Sequence, residues 1–171
     1  MVKENNPIPY KLRLKELFFD YLLIVTYLAL LLAVAMTGYL LVSGGLPSRG
    51  ELASQVIAFL SSVLPLILIF SYLDYSSAGS CGKRKVGLKL VYRKKSFKAS
   101  LIRNSVKFLP WQVAHMGIIH GTYSEFDALS IILMEASIIG AAVLFFMALF
   151  RKDKRHLGDF LAKTQVQMGV E

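Results

Sequence analysis

Residues 21–42 read YLLIVTYLALLLAVAMTGYLLV, a run without a charged side chain. As an α-helix this run would be about 33 Å long, which is enough to cross the hydrocarbon core of a bilayer. It is also too long for the apolar part of a cleaved signal peptide, although Lys11, Arg13 and Lys15 precede it. The run therefore predicts a membrane-spanning helix that stays in the mature protein.

The basic residues around the apolar runs predict the topology. Nineteen of the 20 Lys and Arg lie in three stretches: four before position 16, ten from Lys83 to Lys107, and five after position 150, which leaves only Arg49. Cytoplasmic segments of membrane proteins collect Lys and Arg, whereas translocated loops are depleted in them. We therefore expect a multi-pass protein of the plasma membrane with both termini and the central loop in the cytoplasm.

The whole chain, residues 1–171, is expected to form one all-α membrane domain with four transmembrane helices. Its composition is 55% hydrophobic with a mean hydropathy of +0.53, which is too apolar for a soluble domain of this length. The predicted segments are helices at 12–43, 52–75, 100–120 and 128–150, a turn at Gly44–Gly50, a cytoplasmic loop at 76–99 and a cytoplasmic tail at 151–171.

The third of these helices is inferred from topology more than from hydropathy. Its first two turns contain Arg103, Asn104 and Lys107, and Pro110 follows them. If this helix did not cross the bilayer, the five basic residues of the tail would lie outside, against the bias in the rest of the chain. Lys and Arg near a helix end can extend to the interface, so this helix can cross the bilayer despite its charged residues.

Two short strand-like segments stand out between and after the helices. They are residues 86–92, VGLKLVY, and residues 164–168, TQVQM. The predicted topology puts both in the cytoplasm, where they are candidates to pair into a small β ribbon.

The net charge of +9 favours anionic lipid over nucleic acid as a partner. The basic residues flank apolar helices and have no aromatic platform among them on which bases could stack. We expect Lys83, Arg84 and Lys85 to lie at the level of the lipid headgroups. We expect no metal and no cofactor, because His115 and His120 are five residues apart, which is a poor spacing for two ligands on one helix face.

Several charges are predicted to meet at one depth inside the membrane. Asp20 lies early in the first helix and Asp74 at the end of the second, so both carboxylates are near the cytoplasmic interface. Their predicted partners are Arg13, Arg103, Asn104 and Lys107. Such charges either neutralise one another and join helix ends, or bind a cation or proton. The sequence alone leaves both interpretations open.

Glu135 is a separate case, since it lies among apolar residues two turns into the last helix. An ionised carboxylate facing lipid there would cost several kcal/mol, so we expect Glu135 to point into the bundle. His115, at a similar depth in the third helix, is its expected partner. Together with Asp20 and Asp74, these two residues are candidates for a proton or ion path.

Arg13 with Asp20 in the first span and Asp74 at the end of the second resemble the arginine and two aspartates of the RDD family of small membrane proteins. Three further segments are similar to family motifs: GSCGKRKVGLKLV at 79–91, LIRN at 101–104 and RHLGDFLAKTQV at 155–166. The resemblance covers nearly the whole chain and implies importance for Arg13, Asp20, Asp74 and Asp159. The tail departs from the family pattern, because two residues separate His156 from Asp159.

The resemblance implies a membrane protein whose activity is either cation and proton transport or a role as an adaptor. A transport path would need a homodimer or a sister membrane subunit, because four helices rarely enclose one. An adaptor would use its charged cytoplasmic face to bind a partner or anionic lipid. The chain is not expected to be an enzyme, because no nucleophile and base stand at matched spacing.

Overall fold

The computed structural model describes residues 4–43 and 48–169, apart from the side chain of Ser43. Residues 1–3, 44–47 and 170–171 lie outside the described residues, and with them most of the turn predicted at 44–50. Helix α1 spans Tyr10–Gly38 and continues through a π-helical turn at Tyr39–Ser43. The first predicted span is thus one continuous helix.

The second span is helical throughout but consists of three pieces. They are α2 at Glu51–Ala58, a π-helical turn at Phe59–Val63 and α3 at Leu64–Ser76. Pro65 at the start of α3 cannot donate to the carbonyl of Ser61, and this carbonyl instead accepts a hydrogen bond from the Tyr27 hydroxyl of α1. The helix therefore continues through the π turn and the proline without ending.

The rest of the chain adds two long helices, two short ones and a ribbon. Helix α4 spans Cys81–Lys85, β1 Leu88–Tyr92, α5 Phe97–Ser124, α6 Ala128–Phe150, α7 Leu157–Ala162 and β2 Thr164–Met168. The two strands pair antiparallel, with Leu88 opposite Met168 and Tyr92 opposite Thr164. The predicted ribbon is confirmed.

Three helical segments are long and apolar enough to cross a membrane: Tyr10–Val42, Glu51–Ser76 and Ala128–Phe150. Helix α5 has 28 residues but a more polar sequence, so its crossing stays a prediction. Many large apolar side chains of α1 and α6 are exposed, among them Val34 at 70% and Ile132 at 62%. A surface this apolar fits a lipid environment.

The packing places every short element at the same end of the molecule. Helices α5 and α6 form an antiparallel hairpin, in which Gly117 faces Met134 and Gly140 faces Pro110. A core of six buried residues joins α1, the second span and α5: Ile24, Val63, Leu66, Ile67, Phe70 and Phe108. Helices α4 and α7 and the ribbon lie at the end of the molecule where α1 and α5 begin and where α3 and α6 end. We call this end of the molecule the polar end.

Candidate functional site

Eight charged side chains meet at the polar end in one connected group, which we call the charge cluster. Its members are Glu16, Asp20, Asp74, Asp159, Arg13, Lys83, Arg103 and Lys107. Seven of them are at most 2% exposed, and the Lys107 side chain is 21% exposed. The four acids balance the four bases, which is what makes so large a buried charge tolerable.

Asp74 is at the centre of the cluster, and both of its carboxylate oxygens are occupied. Arg103 Nη1 donates to Oδ2 at 2.8 Å and Asn104 Nδ2 to the same oxygen at 3.1 Å. The backbone N–H of Ser80 donates to Oδ1 at 3.1 Å, and Lys83 Nζ lies 3.2 Å from that oxygen. Asp74 therefore ties the end of α3 to the start of α5 and to the segment that leads into α4.

Asp20 holds α4 against α1. The Ser80 hydroxyl donates to its Oδ2 at 2.8 Å, and the backbone N–H of Gly82 donates to its Oδ1 at 2.9 Å. A Cβ on Gly82 would lie 2.6 Å from Oδ1 and would also collide with the Glu16 carbonyl of α1. Only glycine fits here, because α4 approaches the backbone of α1 so closely.

Lys83 corrects one sequence-based prediction. It was expected at the lipid headgroups with Arg84 and Lys85, but its side chain is completely buried in the cluster, 3.3 Å from Glu16 Oε1 and 3.2 Å from Asp74 Oδ1. Burial alone would lower the pKa of Lys83, but the surrounding carboxylates, Asp74 first, raise it above its ordinary value. Arg84 and Lys85 are exposed, and their position at the lipid headgroups stays a prediction.

Glu16, like Lys83, is a member of the cluster that the sequence did not predict. It accepts a hydrogen bond from Arg13 Nη1 and lies 3.3 Å from Lys83 Nζ, so it connects Arg13 to the rest of the cluster. The missed signal was its spacing: positions 13, 16 and 20 are three and four residues apart and share one helix face. A glutamate this close to a helix start usually faces water, which hid its role.

Helix α7 brings the tail into the cluster through Asp159. Arg103 Nε donates to Asp159 Oδ1 at 2.7 Å, and the Thr164 hydroxyl donates to the same oxygen at 2.8 Å. Although burial opposes ionisation, Arg103 keeps the pKa of Asp159 below its ordinary value. A Cβ on Gly158 would lie 2.6 Å from the Arg103 carbonyl, so α7 touches the backbone of α5.

His156 begins α7 as its N-cap residue. Its Nδ1 accepts a hydrogen bond from the backbone N–H of Gly158 at 3.0 Å, and its own backbone N–H donates to Asp159 Oδ2 at 3.3 Å. Burial lowers the pKa of His156 to about 3, so the ring is neutral at physiological pH. Its role in the tail is to cap this helix.

The chain matches the family model described as RDD family over residues 12–163. It belongs to the RDD family. The matched range contains the whole charge cluster, from Arg13 to Asp159, and the resemblance read from the sequence is confirmed. Neither the curated proteins nor the solved structures gave a match to the chain.

In this RDD protein, Glu135 and His115 do not meet as expected. Glu135 is exposed on α6, so the prediction that it points into the bundle is wrong. The outward side of α6 at this depth is broadly apolar, and the helix turns its buried side, with Ser130 and Ser137, towards α5 instead. His115 is half-buried, with Nδ1 3.0 Å from the Trp111 carbonyl and Nε2 3.4 Å from the Ser62 hydroxyl.

The geometry of this RDD protein limits what its acids can do. Asp74 and Asp159 form short contacts with buried bases, whereas Asp20 accepts from the Ser80 hydroxyl and the Gly82 N–H. A cation would have to displace these partners. Within residues 4–43 and 48–169, no group of three or more His, Cys, Asp and Glu is placed to hold a metal ion. The cluster joins α1, α3, α4, α5 and α7 into one unit.

Proposed function

We propose that this protein is a non-catalytic membrane adaptor or assembly subunit whose polar end lies at the cytoplasmic face of the plasma membrane. One observation carries the proposal: Asp20 and Asp74, the acids that a cation path would use, are already occupied. Asp74 is held by the buried Lys83 and Arg103 and by the backbone N–H of Ser80. Asp20 is held by the Ser80 hydroxyl and the backbone N–H of Gly82, with Lys107 3.5 Å away. A buried network with opposed charges and short contacts acts as a rigid joint between elements.

The rigid joint presents a strongly basic outer face. Eleven Lys and Arg at the polar end are exposed: Lys11, Lys15, Arg84, Lys85, Arg93, Lys94, Lys95, Lys98, Arg151, Lys152 and Lys163. Near an anionic membrane surface, each such residue contributes about 1 kcal/mol of attraction. This face suits binding to the headgroups of the cytoplasmic leaflet. Such binding holds the subunit at a fixed position in an assembly.

The adaptor proposal is tested by neutralising the basic face and measuring the anionic lipid that stays with the protein. We expect Lys94→Gln, Lys95→Gln and Lys98→Gln together to reduce phosphatidylglycerol retained after purification from mixed-lipid nanodiscs. Arg49→Gln is the matched control, because Arg49 lies between the first and second spans, at the end opposite to the polar end. Equal retention in the triple variant and the control would refute the role of this face.

Cation and proton transport is the second candidate, and one observation favours it. The Asp20–Lys107 pair is the least enclosed of the cluster: the atoms are 3.5 Å apart and the Lys107 side chain is 21% exposed. A proton or small cation could reach Asp20 here if Lys107 swings away. Such a path would need a second copy of the chain or a sister subunit to complete it.

Flux through proteoliposomes separates the two candidates. A pH-sensitive dye reports proton movement under Na+, K+ and Li+ gradients, with wild type and Asp20→Asn compared at equal protein density. The adaptor proposal expects no flux above empty vesicles in any gradient. Proton movement that wild type supports and Asp20→Asn abolishes would establish transport instead.

A further inference from the structure

A cleft of about 250 Å³ opens beside the charge cluster, between α1, α5 and α6. Its walls are largely apolar and include Leu17, Ile24, Phe108, Leu144 and Phe145. Its inner end reaches the polar end, where Arg13 and His156 line it. The cleft is therefore amphipathic, with one charged end and an apolar body.

Three buried N–H groups of residues that line this cleft have no hydrogen-bond partner among the described residues. They are Arg13 Nε, His156 Nε2 and Trp111 Nε1. Arg13 is 2% exposed and His156 is 5% exposed, so water cannot freely satisfy these groups. A buried polar group without a partner destabilises the folded protein, and three beside one cleft indicate a ligand with acceptor oxygens.

The histidine is a donor here and not an acceptor. Its Nδ1 already accepts from the Gly158 N–H, so the ring hydrogen is on Nε2. Nε2 is 3.3 Å from Asp159 Oδ2, but the two atoms are not aligned for a hydrogen bond. The N–H of His156 and the N–H of Arg13 thus both belong to the charged end of the cleft.

The basic side chains around the cleft favour acceptor oxygens at that end. Arg103 and Lys107 also line it close to Arg13, and each is paired within the charge cluster, Arg103 with Asp74 and Asp159 and Lys107 with Asp20. Glu16 is the one acid on the lining, and it is neutralised by Arg13 and lies 3.3 Å from Lys83. Trp111 is two turns of α5 beyond Arg103, where its N–H can meet a second oxygen farther along a bound molecule.

We propose that the cleft binds one amphipathic anion, with its carboxylate or phosphate group on Arg13 and His156 and its acyl chain along α5 and α6. This chemistry has two sources: an anionic phospholipid of the bilayer, or a free fatty acid. The site differs from the exposed basic face, because its donors are buried and its apolar wall selects a chain. It does not depend on the adaptor role.

The single tryptophan of the chain, Trp111, reports on this site directly. Bromine atoms on an acyl chain quench tryptophan fluorescence at contact, so the probes are brominated phosphatidylglycerol, brominated oleate and brominated phosphatidylcholine. Each is titrated at low mole fraction into nanodiscs of unlabelled phosphatidylcholine that contain the full chain. A charge-assisted hydrogen bond contributes about 1.5–3 kcal/mol, so we expect the better anion to half-quench at a mole fraction about tenfold or more below phosphatidylcholine.

Three variants show where the anion binds. His156→Asn keeps an oxygen acceptor for the cap of α7 but lacks the Nε2 donor, and should weaken anion selectivity. Ala141→Leu fills the apolar wall from an exposed position and should abolish saturable quenching by every probe. Lys94→Gln, on the exposed basic face, should leave the Trp111 titration unchanged.

The outcomes separate the two sources and the two faces of the protein. A lower half-point for phosphatidylglycerol identifies the bilayer lipid, and a lower half-point for oleate identifies a free fatty acid. Equal half-points for both anions and phosphatidylcholine would overturn the proposal, as would quenching that rises linearly without saturation. Loss of selectivity in Lys94→Gln but not in Ala141→Leu would place the anion on the outer face and overturn it too.

Discussion

Replacing Lys83 by methionine should destabilise the protein far more than any exposed lysine does. Lys83 Nζ is within 3.3 Å of Glu16 and Asp74, 3.9 Å from Asp20 and 3.0 Å from the Ser80 hydroxyl. Methionine keeps the length of the side chain but leaves four buried acids facing three bases. Removing one partner of a buried ion pair costs about 3–5 kcal/mol, and we expect the loss to fall in that range.

The measurement is equilibrium unfolding in dodecylmaltoside micelles with increasing SDS, followed by Trp111 fluorescence. Lys85→Met is the matched control, since Lys85 is in the same short helix but is exposed, with its ammonium 4.3 Å from the Phe19 ring. Losing that contact should cost about 1 kcal/mol or less. Equal destabilisation by the two substitutions would refute the buried cluster as the joint of the polar end.

A second substitution shows whether charge balance is the cause. Glu16→Gln removes one acid, so the double variant with Lys83→Met has three acids and three bases. Residues in one network couple by about 0.5–3 kcal/mol, so the double variant should be more stable than the sum of the two single losses predicts. Strict additivity would show that Lys83 acts through packing alone.

Three further predictions concern packing, pH and topology. Gly82→Ala should destabilise the protein by about 1–3 kcal/mol, because the added Cβ would meet the backbone and a carboxylate of α1. Gly38→Ala is the control and should have no such effect, because the space around its Cβ is open. Similar SDS unfolding midpoints for the two variants would contradict the close contact of Gly82 with α1. Because His156 has a lowered pKa of about 3 in the folded protein, the unfolded chain binds its proton first as the pH falls below about 6.5, and stability should drop by about 2 kcal/mol between pH 6.5 and 5. The His156→Asn variant should lack that part of the decline, and an identical pH dependence would remove the histidine as its cause. In a Cys81→Ser background, an impermeant thiol reagent should label cysteine at Ser48 from outside intact cells and leave cysteine at Lys94 unlabelled; labelling at both positions would contradict the predicted topology.

Much of the fold was readable from the sequence because its signals are local. Long apolar runs require helices in a bilayer, since every backbone polar group must be satisfied within the segment. The two strand segments were equally visible, since a period of two residues acts over a few positions. Asp20, Asp74, Arg103 and Asn104 could also be placed at one level by counting turns from helix ends.

Only the tertiary structure decided which side chains meet around that level. Lys83 lies in a run of three basic residues, which is typical of a solvated loop. Its burial follows from the close contact between Gly82 and α1. Glu16 and Glu135 were misjudged for the same reason: hydropathy gives depth along a helix, but the direction of a side chain depends on which helices pack beside it. The sequence by itself determined the apolar helices, the ribbon and the family, because these rest on local pattern. The ion pairs join residues as distant in sequence as Asp20 and Lys107, and the cleft beside them is lined by residues as distant as Arg13 and His156, and no local pattern specifies such neighbours.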